Sequence, residues 1–171
     1  GTQKDLNKAL DLVNSNKFDE AEPILQKVLA DGKASKYARA LALEAEGQIA
    51  SGKQDDATAI KNFKEAYALD ALPNNQQFQV LYNTAIMQIQ SEKYDDALMV
   101  FQQVLMREPK NAVARINVGY ICLKKRIFGE AIEHLSRAIR LDNDKKATLY
   151  AHFYLGLVYL ERDMFEDAQT F

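Results

Sequence analysis

Phe78 to Pro109, FQVLYNTAIMQIQSEKYDDALMVFQQVLMREP, reads as two amphipathic helices joined by a short polar turn. Phe78, Leu81, Tyr82, Ala85, Ile86 and Ile89 recur at three- and four-residue spacing, one face of a helix. Ser91-Glu92-Lys93 breaks that pattern. Tyr94-Asp95-Asp96-Ala97 restarts it, with acids at a helix start, where the dipole favours them. Ala97, Leu98, Phe101, Val104 and Leu105 supply the second apolar face, and Pro109 closes it.

The same unit recurs along the chain. A small residue is followed 12 positions later by alanine in five places: Ala9 and Ala21, Gly47 and Ala59, Ala85 and Ala97, Gly119 and Ala131, Gly156 and Ala168. A fixed spacing of this kind marks stacked copies of one supersecondary unit. Small side chains at both positions let the two helices of a hairpin meet closely. Phe18, Tyr94, Phe128 and Phe165 each lie three residues before the alanine of their copy and are expected to cover the hairpin junction. The second copy has Asp56 there, so a looser turn is expected. Between copies the alanines are 38, 38, 34 and 37 residues apart. The additional residues fall around 31–37, 71–78 and 143–150. They amount to about one helical turn each and predict longer helices or longer connections. Pro23 predicts a second helix that starts near Ala21 or bends there.

Leu81-Tyr82-Asn83-Thr84-Ala85, then Tyr94-Asp95-Asp96-Ala97, Phe101, Val104 and Pro109, closely resemble the 34-residue pattern of the tetratricopeptide repeat family. Asn117, Gly119, Phe128, Ala131, Leu135 and Ala138 repeat the match, as do Leu155, Gly156, Tyr159, Phe165 and Ala168. The resemblance implies an all-α fold, a right-handed α-solenoid of helix-turn-helix repeats. It would run as one array over 1–171, with repeats near 2–35, 36–73, 76–111, 112–145 and a partial one at 148–171. The first copy has Lys8 and Ala9 where the family usually has Leu and Gly, which suits a polar N-terminal cap.

Composition fits this reading. Hydrophobic residues make up 47% of 171, with only 3 Pro and 7 Gly. No stretch approaches the run of about 18 apolar residues that a membrane span needs. The net charge of −2 argues against general nucleic-acid binding. Residues 107–146 nevertheless carry ten Lys or Arg against five acids. Lys124, Lys125 and Arg126 cluster at one turn, as a site for an acidic partner or as a solvated turn. A single cysteine, Cys122, allows no internal disulfide. The polar start at Gly1-Thr2 and the stop at Phe171 in mid-pattern read as cut ends, so the compartment stays open.

No catalytic constellation, cofactor motif or metal site emerges. His134 and His152 are dispersed on helices, and His152 falls where the family packs a large residue. Cys122 reads as a small buried hydrophobe. Asp142-Asn143-Asp144 lacks the ligand and glycine that a calcium loop places next, having Lys146 and Ala147 there. The expectation is a non-enzymatic protein.

In the family, the first helix of each repeat lines a concave groove. Carried over, the groove positions are Gln79, Tyr82, Asn83, Ile86 and Ile89; then Val113, Ile116, Asn117, Tyr120, Leu123 and Lys124; then Tyr150, Phe153, Tyr154, Leu157 and Leu160. The candidate partner-binding set drawn from them is Tyr82, Asn83, Ile86, Ile116, Asn117, Tyr120, Lys124, Tyr150, Phe153 and Leu157. Tyrosine offers large area plus a hydroxyl, which suits recognition. Some family members clamp the acidic C-terminus of heat-shock chaperones. Here Asn83 and Asn117 match two asparagine positions. Glu44, Tyr82 and Ile116 stand at the usual lysine position, so that activity is not implied. The resemblance implies an interaction scaffold or adaptor that takes a peptide or helix in its groove, within the assembly of a larger complex. Alternatives are a self-association module using Tyr159, Leu160, Phe165 and Phe171, or a regulatory region of a longer enzyme or sensor. Analogy alone adds a bacterial envelope or lipoprotein assembly factor.

Overall fold

The computed structural model describes residues 1–170, with side chains through 169. The described residues form helices and connecting turns. The helices are α1 (Thr2–Asn14), α2 (Phe18–Ala30), α3 (Lys36–Gly52), α4 (Asp56–Ala68), α5 (Asn74–Gln90), α6 (Tyr94–Arg107), α7 (Ala112–Lys124), α8 (Phe128–Leu141) and α9 (Lys145–Thr170). The chain divides into two compact units, Gly1–Lys93 and Tyr94–Phe171.

In the first unit, α1 packs on α2 and α3 on α4, and α3 also contacts α1 and α2. Leu6, Ala9, Val13, Ala21, Leu25 and Val28 form one buried cluster together with Ala38, Ala42, Ala45 and Ile49 of α3. Ala59, Phe63 and Ala66 of α4 belong to a second cluster that includes Val80 and Met87 of α5. In the second unit α7 packs on α6, α8 and α9, and α8 on α9.

The small residue of each pair has a measurable purpose. A Cβ on Gly47 would stand 2.6 Å from the Phe63 ring, and one on Gly119 would stand 2.6 Å from Leu135 Cγ. Phe63 and Leu135 each lie four residues after the alanine of their copy, as do the buried Leu25 and Phe101. A bulky residue thus seats itself over a glycine, and any added atom would have to displace a packed side chain.

Four turns share one design. Asn16, Gln54, Glu92 and Arg126, each five residues before the alanine, take φ of 58°, 61°, 59° and 60°. The next residue's amide reaches back to the first helix: Lys17 to Leu12 O, Asp55 to Ala50 O, Lys93 to Gln88 O and Ile127 to Cys122 O, at 2.8–2.9 Å. This is the Schellman ending, in which one left-handed residue lets the amide beyond it satisfy a terminal carbonyl.

Several expectations change. The turn expected before Phe165 is absent, because α9 runs unbroken from Lys145 to Thr170. The additional residues between copies are helical: α3 and α5 have 17 residues against 13 in α7. Pro23 lies inside α2, which already begins at Phe18.

The turn side chains link one copy to the next as well as closing their own hairpin. Phe18 packs where a Cβ on Gly52 would stand, 2.9 Å from its ring. Phe128 meets Phe165 at 6.0 Å between ring centres. Asp56, in the aromatic's place, accepts a 3.1 Å hydrogen bond from the Ser91 hydroxyl, so a polar link replaces the ring.

Candidate functional site

In the second unit, α7 and α9 lie side by side and bring four aromatic rings together. Tyr154 is at the centre, 5.3 Å from Tyr120, 6.1 Å from Tyr150 and 5.6 Å from Phe153. The sequence spacing explains this convergence. Phe153 and Tyr154 lie three and four residues after Tyr150 on α9, and Tyr120 faces them one residue beyond Gly119 on α7. Tilted, stacked and edge-on ring pairs at these distances are each favourable beyond the area they bury. The cluster remains open to solvent, with Tyr150 47% and Phe153 60% exposed. Burial, with Tyr120 and Tyr150 nearby, raises the Tyr154 phenol above its ordinary pKa. Lys124 stands over the Tyr120 ring at 5.6 Å, placing a cation at the rim.

Tyr120, Lys124, Tyr150 and Phe153 from the candidate set therefore converge. Leu157 lies one turn further along α9 and is half-buried. The Asn117 side chain donates to Val113 O at 2.9 Å and is turned toward its own helix. Ile116 is corrected from surface to interior. It is 7% exposed, and Leu123 3%, because α7 is covered on both flanks by its neighbours. Tyr154 was a groove position in the sequence without being singled out. What spacing along one helix could not show is that Tyr120, 34 residues earlier on α7, meets Tyr154.

Tyr82, Asn83 and Ile86 lie on α5 in the first unit. Asn83 and Ile86, with Gln48, Ser51, Phe63 and Met87, line a shallow cleft of about 190 Å³. Asn83 accepts from the Gln79 amide at 3.0 Å, and Tyr82 is half-buried. Glu44, on α3, is raised above its ordinary pKa by burial.

The remaining candidates for chemistry have structural surroundings. Cys122 is 1% exposed, and burial beside Glu130 pushes its thiol up to about 11, away from the reactive thiolate. His152 is exposed, contrary to the packed position expected for it. His134 Nδ1 lies 3.3 Å from Arg115 Nη1, and Arg115 also donates to Pro109 O. The three cations of the fourth turn have partners of their own. Lys125 binds Asp95, Lys124 covers Tyr120, and Arg126 stands 5.6 Å from the Phe165 ring. Among the described residues, no three His, Cys, Asp or Glu side chains gather where a metal could sit. No described helix is long and apolar enough to cross a membrane.

Compared with known proteins, the chain matches two models described as tetratricopeptide repeat, over residues 6–76 and 88–147. No curated protein matches it by sequence. Among solved structures, MamA 41-end from Desulfovibrio magneticus RS-1 superposes with a TM-score of 0.76 at 19% identity, over 99% of this chain and 89% of that one. YrrB, described as a TPR protein with an unusual peptide-binding site, gives 0.73 at 19%, over 93% and 76%. The APC/C hetero-tetramer Cut9-Hcn1 gives 0.68 at 22%, over 92% of this chain and 30% of that one. At such identities the likeness establishes the fold, and the repeat models cover most of the sequence: the chain belongs to the tetratricopeptide repeat family.

Proposed function

We propose that this protein is a non-enzymatic interaction module whose second unit captures a peptide or helical segment on the aromatic surface of α7 and α9. The observation that carries the reading is the open cluster of Tyr120, Tyr150, Phe153 and Tyr154. Four rings held against one another are already ordered, so binding there loses little side-chain entropy. Rings that stay half exposed still have area to bury. An apolar anchor on the ligand would sit among the rings, and Lys124 would meet a carboxylate beside it. The cleft at Asn83 and Ile86, lined by both polar and apolar side chains, supplies a second contact region on the first unit. The peptide-binding description of YrrB belongs to that protein, and gives a fold-level precedent for this reading. The repeats over 1–171 are read as one array serving one adaptor function.

The test is selection of displayed peptides on the wild-type chain, followed by affinity measurement on Tyr120→Ala/Tyr150→Ala. Helical circular dichroism checks that the variant folds. Loss of about tenfold or more in affinity is expected for truncating central aromatic anchors. Equal affinity for wild type and folded variant would refute the reading.

A further inference from the structure

Helix α3 carries Tyr37, Leu41, Glu44, Gln48 and Ser51 at steps of four, three, four and three, a stripe along one side of the helix. Glu44 is the only charge on that stripe. It is half-buried, and burial alone raises its pKa, with no neighbouring charge drawing it back. Among the described residues, no hydrogen bond or ion pair serves its carboxylate. Glu46, two residues on, is the opposite case. It is half-buried too, but it accepts from the Gln26 amide at 3.0 Å, and Lys53 favours its charged form. A carboxylate that loses water without gaining a donor or a counter-charge is held at a cost in free energy. Beside a cleft, such a group is a candidate ligand contact. The cleft begins one turn further along the same stripe. Gln48 and Ser51 line it from α3, Asn83, Ile86 and Met87 from α5, and Phe63 from α4. The Asn83 oxygen is committed to the Gln79 amide, which leaves the Asn83 NH2 group to donate elsewhere.

We propose that Glu44 and this cleft form a peptide site that selects a segment carrying a lysine or arginine. The cationic side chain meets the Glu44 carboxylate and supplies the charged donor that the chain itself withholds. An aliphatic side chain of the same segment enters the cleft, about 190 Å³ in volume, against Phe63, Ile86 and Met87. The Asn83 NH2 group donates to a backbone carbonyl of the peptide. Glu44 stands one helical turn, about 6 Å, before Gln48, and an extended peptide advances about 3.3 Å per residue, so the basic and aliphatic residues are about two to four positions apart. Charge complementarity decides the occupant: an acidic segment would meet an uncompensated carboxylate of its own sign. The inference rests on the reading of the cleft as a contact region, and is independent of the aromatic cluster on α7 and α9.

The test is selection of random displayed peptides on the 171-residue chain bearing Tyr120→Ala/Tyr150→Ala, which keeps the cleft and removes the aromatic anchors. The recovered sequences should be enriched in lysine or arginine at a fixed spacing from an aliphatic residue. For one recovered peptide, Glu44→Gln in the protein and lysine-to-norleucine in the peptide should each weaken binding about tenfold. Both changes together should weaken it little more than either alone, because they remove one interaction. Glu44→Gln keeps the shape and deletes an unpaired charge, so its thermal midpoint should not fall. Recovery of no binders, recovery without basic residues, or equal affinity for Glu44→Gln overturns the proposal. A lower midpoint for Glu44→Gln does so too, since it would give the carboxylate a partner in its own chain. Because the selecting chain lacks the aromatic anchors, failure here leaves the aromatic surface standing, and failure of that surface leaves this site standing.

Discussion

The Phe63 ring lies 2.6 Å from where a Cβ on Gly47 would stand, and Leu135 stands equally close to Gly119, whereas Gly156 has nothing within 4 Å. Three glycines at one repeat position thus have opposite physical roles. Gly47→Ala and Gly119→Ala each force a buried side chain to move, which costs about 1–3 kcal/mol. Better helix propensity returns about 1 kcal/mol of that. Gly156→Ala collects the propensity with no clash, so it should stabilise by about 0.5–1 kcal/mol. Urea denaturation of the three variants checks this, and the sign at Gly156 must differ from the other two.

His134 supplies a pH dependence. Burial lowers its pKa first, and the Arg115 guanidinium 3.3 Å away lowers it further; Arg137 adds to this, while Glu133 and Glu130 oppose it. The neutral ring accepts from Arg115, and a proton on Nδ1 would break that contact. Because the folded pKa lies below the ordinary value of 6.5, the unfolded chain binds the proton more readily. The contribution is therefore complete above that value and is lost as pH falls below it. Thermal midpoints at about pH 7.5 and about pH 5.5 should differ more for wild type than for His134→Asn, which keeps an acceptor but does not titrate. Equal differences would show that His134 does not contribute.

Asp56 stands where the four other copies have an aromatic, and its carboxylate accepts from Ser91. If that bond replaces the ring as the link between copies, Asp56→Ala should cost about 0.5–1.5 kcal/mol, and Ser91→Ala a similar amount. The double variant should cost little more than either single one, because the two act on one interaction. Additive losses would mean that each side chain acts independently of the other.

Much of this fold could be read from the sequence because its packing rule is local. A small residue and an alanine 12 positions apart specify a helix hairpin, and the residue four beyond the alanine fills the seat. Additional residues between copies had to be helix or loop; they are helix, since Lys36–Ala40 and Asn74–Phe78 continue the face of the helix that follows. The fifth turn was not legible. Phe165-Glu166-Asp167-Ala168 has the composition of Phe18-Asp19-Glu20-Ala21, yet α9 runs straight through it, so the turn residues alone do not decide whether the chain bends. The candidate surface was legible only as helix faces. Ile116 and Leu123 have the spacing of surface positions but are covered by neighbouring helices, and the meeting of Tyr120 with Tyr154 joins residues 34 apart.

The left-handed turn residues carry a cost that substitution can expose. Glu92 holds φ at 59° without the side-chain capping or freedom that asparagine or glycine would bring. An L residue in that region pays about 1–2 kcal/mol relative to its preferred conformations. Glycine removes the penalty but loses about 0.4–1 kcal/mol through the greater freedom of the unfolded chain. Glu92→Gly should therefore stabilise by about 0.5–1 kcal/mol. Asn16 is already a residue that tolerates this conformation, so Asn16→Gly should gain less than Glu92→Gly. Glu92→Val, with a branched side chain in the same region, should be destabilising. Denaturation midpoints of the three variants order the penalties directly. A Glu92→Gly variant less stable than wild type would mean that the turn is held in another conformation in solution.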